Sequence, residues 1–183
     1  MLGTINVLVR GVAPLISNNP EAINNLPTGK KVDHHSAEYK ELSFNCSLYK
    51  KGKCIYQPAE HFERCMEVAG GQENFKGRMS YQKIIKGGVV VEPNQIPHPK
   101  KNKPERFNKW VVINKARVMK TRAIFDKWEL EFQIRVLNEA INFDTLKSIL
   151  VYGGCYVGIG DWRPKYGRFE VIKFDVAKGG KRK

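Results

Sequence analysis

The clearest hydrophobic pattern in the chain runs from Trp128 to Leu137, where apolar and polar residues alternate. The apolar positions are Leu130, Phe132, Ile134 and Val136, and the polar positions are Glu129, Glu131, Gln133 and Arg135. A period of two predicts a strand with one buried and one solvated face. Similar alternation predicts strands at 4–12 and 168–176. In the last strand the phase shifts between Val171 and Ile172, which is typical of a β-bulge.

Two segments have the period of an amphipathic helix. In 58–69 and 142–152, apolar residues recur at helical spacing on one face. They are Phe62, Cys65, Met66 and Ala69 in the first segment, and Phe143, Leu146, Ile149 and Leu150 in the second. Pro58 suits a first turn and Asn142 a helix cap. We expect Gly70-Gly71 and Gly153-Gly154 to end the two helices.

With a further strand at 110–121, the main elements follow the order βαββαβ. This order predicts an α+β fold with a ferredoxin-like (RRM-like) antiparallel sheet, two helices on one face and the other face open to a ligand. We expect one domain over 1–177, two long insertions at 13–57 and 70–108, and a mobile basic tail at 178–183.

The insertions contain weaker signals. The Asn-, Pro- and Gly-rich stretch from 14 to 35 and the lysine- and proline-rich stretch 93–108 both predict loops. Short helices are expected at 36–46 and 80–86, a strand at 89–91, and a hairpin at 48–56 that turns at Lys51-Gly52.

Composition narrows the class of protein. The chain has 183 residues, 42% hydrophobic and 10% aromatic, which excludes a wholly disordered protein. No apolar run has the length of a membrane helix, and no secretory signal is evident. We therefore expect a cytoplasmic protein without a membrane partner. The four cysteines show no C-x-x-C spacing and the histidines complete no metal set, so we expect reduced thiols, no metal and no cofactor.

Charge is concentrated in one part of the chain. The whole chain has 32 Lys and Arg residues against 18 Asp and Glu, a net charge of +14. Residues 76–122 contain 13 of the basic side chains, and their only acidic residues are Glu92 and Glu105. Tyr81, Phe107 and Trp110 interleave with these cations. Lysines neutralise phosphates and aromatic rings stack on bases, so the segment favours single-stranded RNA or DNA over a merely solvated basic loop. An anionic membrane is disfavoured because no basic amphipathic helix is present.

A glycine-rich segment before the last strand is the most distinctive motif, GIGDWRPKYGRFEV at 158–171. Glycines permit a positive φ and a close approach to phosphate. The alternative is a tight helix-to-strand connection in which Trp162 is part of the core. Together the two basic segments supply the predicted nucleic-acid contacts: Gly158, Gly160, Trp162, Arg163, Lys165, Tyr166, Arg168, Lys100, Lys101, Lys103, Arg106, Lys109, Lys115, Arg117, Lys120 and Arg122.

This motif resembles the glycine-rich loop of the RAMP superfamily of CRISPR-associated RNA-binding proteins. A second match is IYQPAEHF at 55–62, which resembles the strand–Pro–helix junction of RAMP backbone subunits. Ala59 and Glu60 depart from the Gly and Ser usual there, and Arg64 is the candidate for the basic residue that ends the motif. The chain also resembles solitary phage-encoded members with the same IGDWRP and YGRF ending.

The resemblance implies a protein that binds single-stranded RNA, or single-stranded DNA, in a prokaryotic or phage-infected host cell. With the basic segment 76–122 and the glycine-rich loop, our leading hypothesis is a non-catalytic protein of this kind. The resemblance also implies protein partners, which are either further copies of this chain along the nucleic acid or CRISPR-type proteins. Two alternatives stay open. One is a metal-independent RNA endonuclease, with His34, His35 and Asp33 as catalytic candidates and Lys30 and Lys31 beside them. The other is a phage protein that binds or mimics a host CRISPR complex.

Overall fold

The computed structural model describes residues 3–27, 33, 35–113 and 115–177. Its strands are β1 (Gly3–Gly11), β2 (Leu15–Ser17), β3 (Lys50–Lys51), β4 (Cys54–Pro58), β5 (Asn74–Lys76), β6 (Met79–Ser80), β7 (Val89–Glu92), β8 (Gln95–Pro97), β9 (Glu105–Ile113), β10 (Ala116–Phe125), β11 (Glu129–Val136) and β12 (Phe169–Val176). Its helices are α1 (Pro20–Ile23), α2 (Ala37–Ser47), α3 (Ala59–Gly70), α4 (Gln82–Gly88) and α5 (Phe143–Tyr152). These elements form a mixed α+β fold with antiparallel sheets.

The central sheet has four strands in the order β12-β1-β11-β7, and each neighbouring pair is antiparallel. The alternation predicted for β11 is confirmed, because its apolar residues are buried. The predicted bulge in β12 is also confirmed. Leu8 of β1 pairs with Lys173 and Val9 pairs with Val171, which leaves Ile172 as the extra residue.

The core lies between this sheet and helices α3 and α5. The predicted stripe of α3 is fully buried, and its Phe62 ring lies 4.3 Å from that of Phe132 in β11. Helix α5 begins as predicted, because the Asn142 side chain accepts a hydrogen bond of 2.8 Å from the Asp144 backbone N–H. Burying the apolar stripes removes them from water and is the main stabilising term here.

The predicted strand at 110–121 is wrong. Residues 105–125 instead form a long hairpin, β9 paired with β10, in a separate three-stranded sheet with β2. The fourth strand of the central sheet is β7, predicted only as a minor strand. The sequence does not indicate the hairpin, because no Gly or Pro marks its turn. The positive φ that the turn requires, 67°, is adopted by Lys115 instead.

Other loop predictions are also corrected. The stretch 14–35 contains the buried strand β2 and the short helix α1. In 93–108, β8 pairs with β4, and the buried Asn102 side chain hydrogen-bonds the backbone of Glu129 at 2.8 Å and 3.2 Å. Helix α5 is followed by a π-helical turn, Gly153–Val157, where a helix end was expected.

The remaining short elements agree with the pattern. Helix α2 is capped by Ser36, whose hydroxyl accepts from the Tyr39 N–H at 3.1 Å. The β3–β4 hairpin turns at Gly52, which has a φ of 59°. Helix α4 lies two residues later than predicted. The predicted tail, 178–183, lies outside the described residues.

Candidate nucleic-acid interface

The long hairpin and the glycine-rich loop (residues 158–168) meet in one aromatic cluster. The Phe107 ring of β9 lies 5.8 Å from the ring of Trp162 and 5.8 Å from that of Tyr166. Trp162 and Tyr166 are 6.2 Å apart. Trp162 and Tyr166 are half-buried, so the cluster is neither core nor fully exposed. Two segments far apart in sequence therefore form a single surface.

Cations of the hairpin lie on the same face as this cluster. The Lys109 ammonium is 4.6 Å from the centroid of the Trp162 ring, within the range of a cation–π contact. Lys120 pairs with Lys109 in the register, and Arg122 pairs with Phe107, so their side chains leave the same face of the hairpin. From the loop, Arg163, Lys165 and Arg168 are exposed. The result is a mixed aromatic and basic surface.

Arg122 anchors the hairpin to the loop. Its guanidinium Nε lies 3.2 Å from a carboxylate oxygen of Asp161, and the two side chains are only 13% and 23% exposed. Burial lowers the pKa of Arg122, and the charge of Asp161 opposes that shift. The backbone N–H of Asp161 in turn donates to the carbonyl of Ile16 at 2.9 Å. Arg122 thus joins two segments of the protein, and its charge is already compensated.

The glycines of the loop allow it to close on itself and on β2. Gly160 has a φ of 79°, and a Cβ there would lie 2.5 Å from the Ile16 carbonyl oxygen. Gly167 has a φ of 72°, and a Cβ would lie 1.7 Å from the carbonyl oxygen of Ile159. Gly158 also has a positive φ, of 71°. At Gly160 and Gly167 the close approach that sequence suggested for a phosphate is therefore made by the protein's own backbone.

Several predicted contacts lie elsewhere. Lys101 pairs with Glu129 on the helix-free face of the central sheet. Lys100 and Lys103 are exposed in the same segment, close in sequence to the buried Asn102. Arg106 leaves the opposite face of the hairpin from Lys109 and pairs with Glu41 of α2.

The opposite face of the hairpin carries its own exposed aromatic ring. Trp110 is 53% exposed and lines a hollow with Val112 and Arg117. Lys115 lies at the turn. Tyr81, predicted to interleave with the cations of 76–122, instead packs edge-on against Phe75 at 5.2 Å, beside α4.

The helix-free face of the central sheet differs from the expected RRM-like platform. In the described strands its charges are largely paired: Arg10 with Glu129 at 2.7 Å, Arg135 with Glu92 at 2.6 Å, and Lys173 with Asp175 at 3.2 Å. No aromatic side chain of these strands lies on that face, since Phe132, Phe169 and Phe174 all pack toward the core. Neither stacking nor excess positive charge is available there.

Two of the three catalytic candidates, Asp33 and His35, lie among the residues that the structure describes. The Asp33 carboxylate accepts a hydrogen bond of 2.8 Å from the backbone N–H of His35, as in an Asx turn. The His35 ring lies 5.4 Å from that of Trp110. His34, Lys30 and Lys31 lie outside the described residues.

The described residues contain no group of three or more His, Cys, Asp or Glu side chains that could hold a metal ion. All four cysteines are free thiols, of which only Cys65 is buried. None of the described helices is long and apolar enough to cross a membrane.

Comparison with known proteins gives a likeness of fold. No family model matches the chain, and no curated protein matches it in sequence. Among solved structures, it matches a chain of "Cryo-EM structure of the Type III-B Cmr-beta bound to cognate target RNA" with a TM-score of 0.56 and 13% identity. The match covers 96% of this chain and 61% of the other. The fold is therefore one also found in a CRISPR type III-B complex.

Proposed function

We propose that this protein is a single-stranded RNA-binding protein of the RAMP type, and that the strand lies along the long hairpin and the glycine-rich loop. The observation that carries the proposal is the seam between them, where Lys109 lies over Trp162 beside Phe107 and Tyr166. Aromatic faces for bases next to cations for phosphates are the combination that single strands use.

The fold supports the RAMP assignment. We infer that the order β12-β1-β11-β7, with α3 and α5 on one face, is the ferredoxin-like arrangement, built as one domain over 1–177. The hairpin is then an insertion that follows the second core strand, β7. The Cmr-beta structure with the similar fold contains target RNA, which favours RNA over DNA as the ligand here.

Roles follow from the positions of the side chains. Trp162, Tyr166 and Phe107 offer stacking surface, and the nearby cations bind phosphates. Those cations are Lys109, Lys120, Arg163, Lys165 and Arg168. Gly158, Gly160 and Arg122 shape and anchor the loop instead of contacting the strand. Lys101 and Arg106, each held by a carboxylate, contribute little.

The experiment is a titration of labelled single-stranded RNA across a range of salt concentrations. If these five cations each neutralise one phosphate, log affinity falls with log salt with a slope of about −3.5. Replacing both Lys109 and Lys165 with Ala reduces the magnitude of the slope by about 1.4, whereas Lys147→Ala, at an exposed position of α5, leaves it unchanged. An affinity independent of salt contradicts the proposal.

The same samples test the alternatives. Cleavage of the RNA in chelator would identify an endonuclease. The number of copies bound to strands of increasing length, measured by sedimentation, reports assembly along RNA. Association with CRISPR-type proteins that persists after nuclease treatment would identify a protein partner.

A further inference from the structure

A second aromatic site lies beside the proposed interface, in a cleft at the start of α3. The cleft has a volume of about 320 Å³ and is lined by Tyr49, Tyr56 and His61, with Glu21 and Glu60 among its walls. We call it the tyrosine cleft. The rings of Tyr49 and Tyr56 are 5.9 Å apart, and His61 meets Tyr49 edge-on at 5.6 Å.

The histidine of the cleft is uncharged at neutral pH. Burial, assisted by the positive charge of Arg163, lowers the pKa of His61 to about 4. Its Nδ1 is hydrogen-bonded to the side-chain amide of Gln57. His61 therefore presents a flat, neutral ring that can contact a base without attracting a phosphate.

The carboxylates of the cleft are available to a ligand. Within the described part of the chain, neither Glu21 nor Glu60 forms an ion pair with a Lys or Arg side chain. Both are exposed. Burial raises the pKa of Tyr49 to about 12, and the nearby Tyr56 and the charges of Glu21 and Glu60 add to that shift. Such carboxylates repel phosphate and accept hydrogen bonds from amino groups.

The cleft adjoins the glycine-rich loop through the segment around β2. The Asp161 N–H donates to the carbonyl of Ile16 at 2.9 Å, and the Tyr49 hydroxyl donates to the carbonyl of Asn18 at 3.0 Å, two residues further along. The positive charge of Arg163 also assists burial in lowering the pKa of His61. Trp162, the stacking residue of the proposed interface, lies between Asp161 and Arg163 in sequence. A strand that places a phosphate at Arg163 can therefore direct a neighbouring base into the cleft.

We propose that the tyrosine cleft holds one unstacked nucleobase that carries an exocyclic amino group: cytosine, adenine or guanine. The tyrosines supply stacking surface, and Glu21 and Glu60 accept from the amino group, which uracil lacks. The volume is at the small end of the roughly 300–1,000 Å³ typical of ligand pockets, which suits a single base. This inference rests on the proposed function, because the strand must first lie on the seam.

The test compares a uridine-only RNA with the same RNA carrying one central cytidine. The expected affinity is roughly tenfold higher for the cytidine strand. Glu60→Gln and, separately, Glu21→Gln bring the ratio of the two affinities close to one. Glu139→Gln, the same charge change after β11, leaves the ratio unchanged. Because a ratio is measured, the general effect of removing a negative charge cancels.

The contrary outcomes separate the two proposals. Equal affinity for both strands, with normal salt dependence, overturns the base pocket and leaves the proposed function standing. No salt-dependent binding of either strand overturns both. Saturable binding of an arginine-rich peptide that Glu60→Gln abolishes, without any base preference, assigns the cleft to a cationic protein segment and also overturns the base pocket.

Discussion

The ammonium group of Lys109 lies 4.6 Å from the ring centroid of Trp162, and this contact joins the hairpin to the glycine-rich loop. The Trp162 side chain is half-buried, so part of it remains open to solvent beside the ammonium. A base that stacks on Trp162 would displace the ammonium toward a phosphate.

Replacing Trp162 with Ala should weaken binding of single-stranded RNA. Loss of one stacked base costs about 1–3 kcal/mol, and this side chain is only half-buried, so the fold should persist. Fluorescence anisotropy gives the affinity and circular dichroism the fold. Trp110→Ala is the matched control, because Trp110 leaves the face of the hairpin opposite to Phe107 and Lys109, which contact Trp162. An equal loss in both variants would place the RNA on neither face specifically.

The ion pair between Arg122 and Asp161 should contribute to stability. Arg122→Met leaves a largely buried carboxylate without its partner, and we expect a loss of about 2–3 kcal/mol in the free energy of unfolding. The double variant Arg122→Met/Asp161→Asn should lose less than the sum of the two single changes. Urea denaturation measures all three variants.

The exposed pair Arg106–Glu41 provides the comparison for that experiment. Its side chains are 55% and 46% exposed, so Arg106→Met should cost less than about 1 kcal/mol. Additive losses at Arg122 and Asp161 would mean that the pair does not couple the hairpin to the loop.

Gly160→Ala should destabilise the protein by about 2–4 kcal/mol. The change combines a left-handed backbone with a Cβ 2.5 Å from the Ile16 carbonyl oxygen. Gly52→Ala separates the two causes, since Gly52 has a φ of 59° and open space around its Cβ position; it should cost about 1 kcal/mol. Similar thermal midpoints for both variants would exclude the clash as the cause.

Stability should fall as the pH is lowered from about 6.5 to 4. Burial lowers the pKa of both His61 and His98 to about 4, so in this range the unfolded chain binds more protons than the folded protein. The loss is on the order of 2–3 kcal/mol per histidine. His98, stacked on Phe125 at 4.3 Å, can be tested by His98→Gln. That variant should show a flatter dependence of unfolding free energy on pH, and an unchanged slope would contradict the assignment.

Most elements of the core can be predicted from sequence, because the spacing of apolar residues within each one shows whether it is a helix or a strand. The α3 stripe of Phe62, Cys65 and Met66, and the alternation in β11, depend on spacing alone. The bulge at Ile172 was visible as a phase shift. The hairpin was not, because its turn at Lys115 lacks the usual glycine and its two strands read as one continuous pattern.

The site was predictable in composition and not in arrangement. Lys109 and Trp162 were each singled out as part of a basic and aromatic segment, but nothing local relates one to the other. The same holds for the role of Gly160, whose neighbour Ile16 belongs to a strand too short to recognise. Long-range contacts of this kind depend on how the sheets pack, which single-residue patterns do not encode.

The β9–β10 hairpin is held at one end, where it pairs with β2, and extends beyond that end. Its base is fixed by the bonds from the loop to β2, and four register pairs, from Trp110–Met119 to Ile113–Ala116, extend past Lys109–Lys120. At about 3.4 Å per residue, that outer arm is roughly 14 Å long. Deleting two of the pairs would shorten its reach by about half without disturbing the base. In the proposed interface, the reach of the hairpin can therefore change without any change in the contact between Lys109 and Trp162.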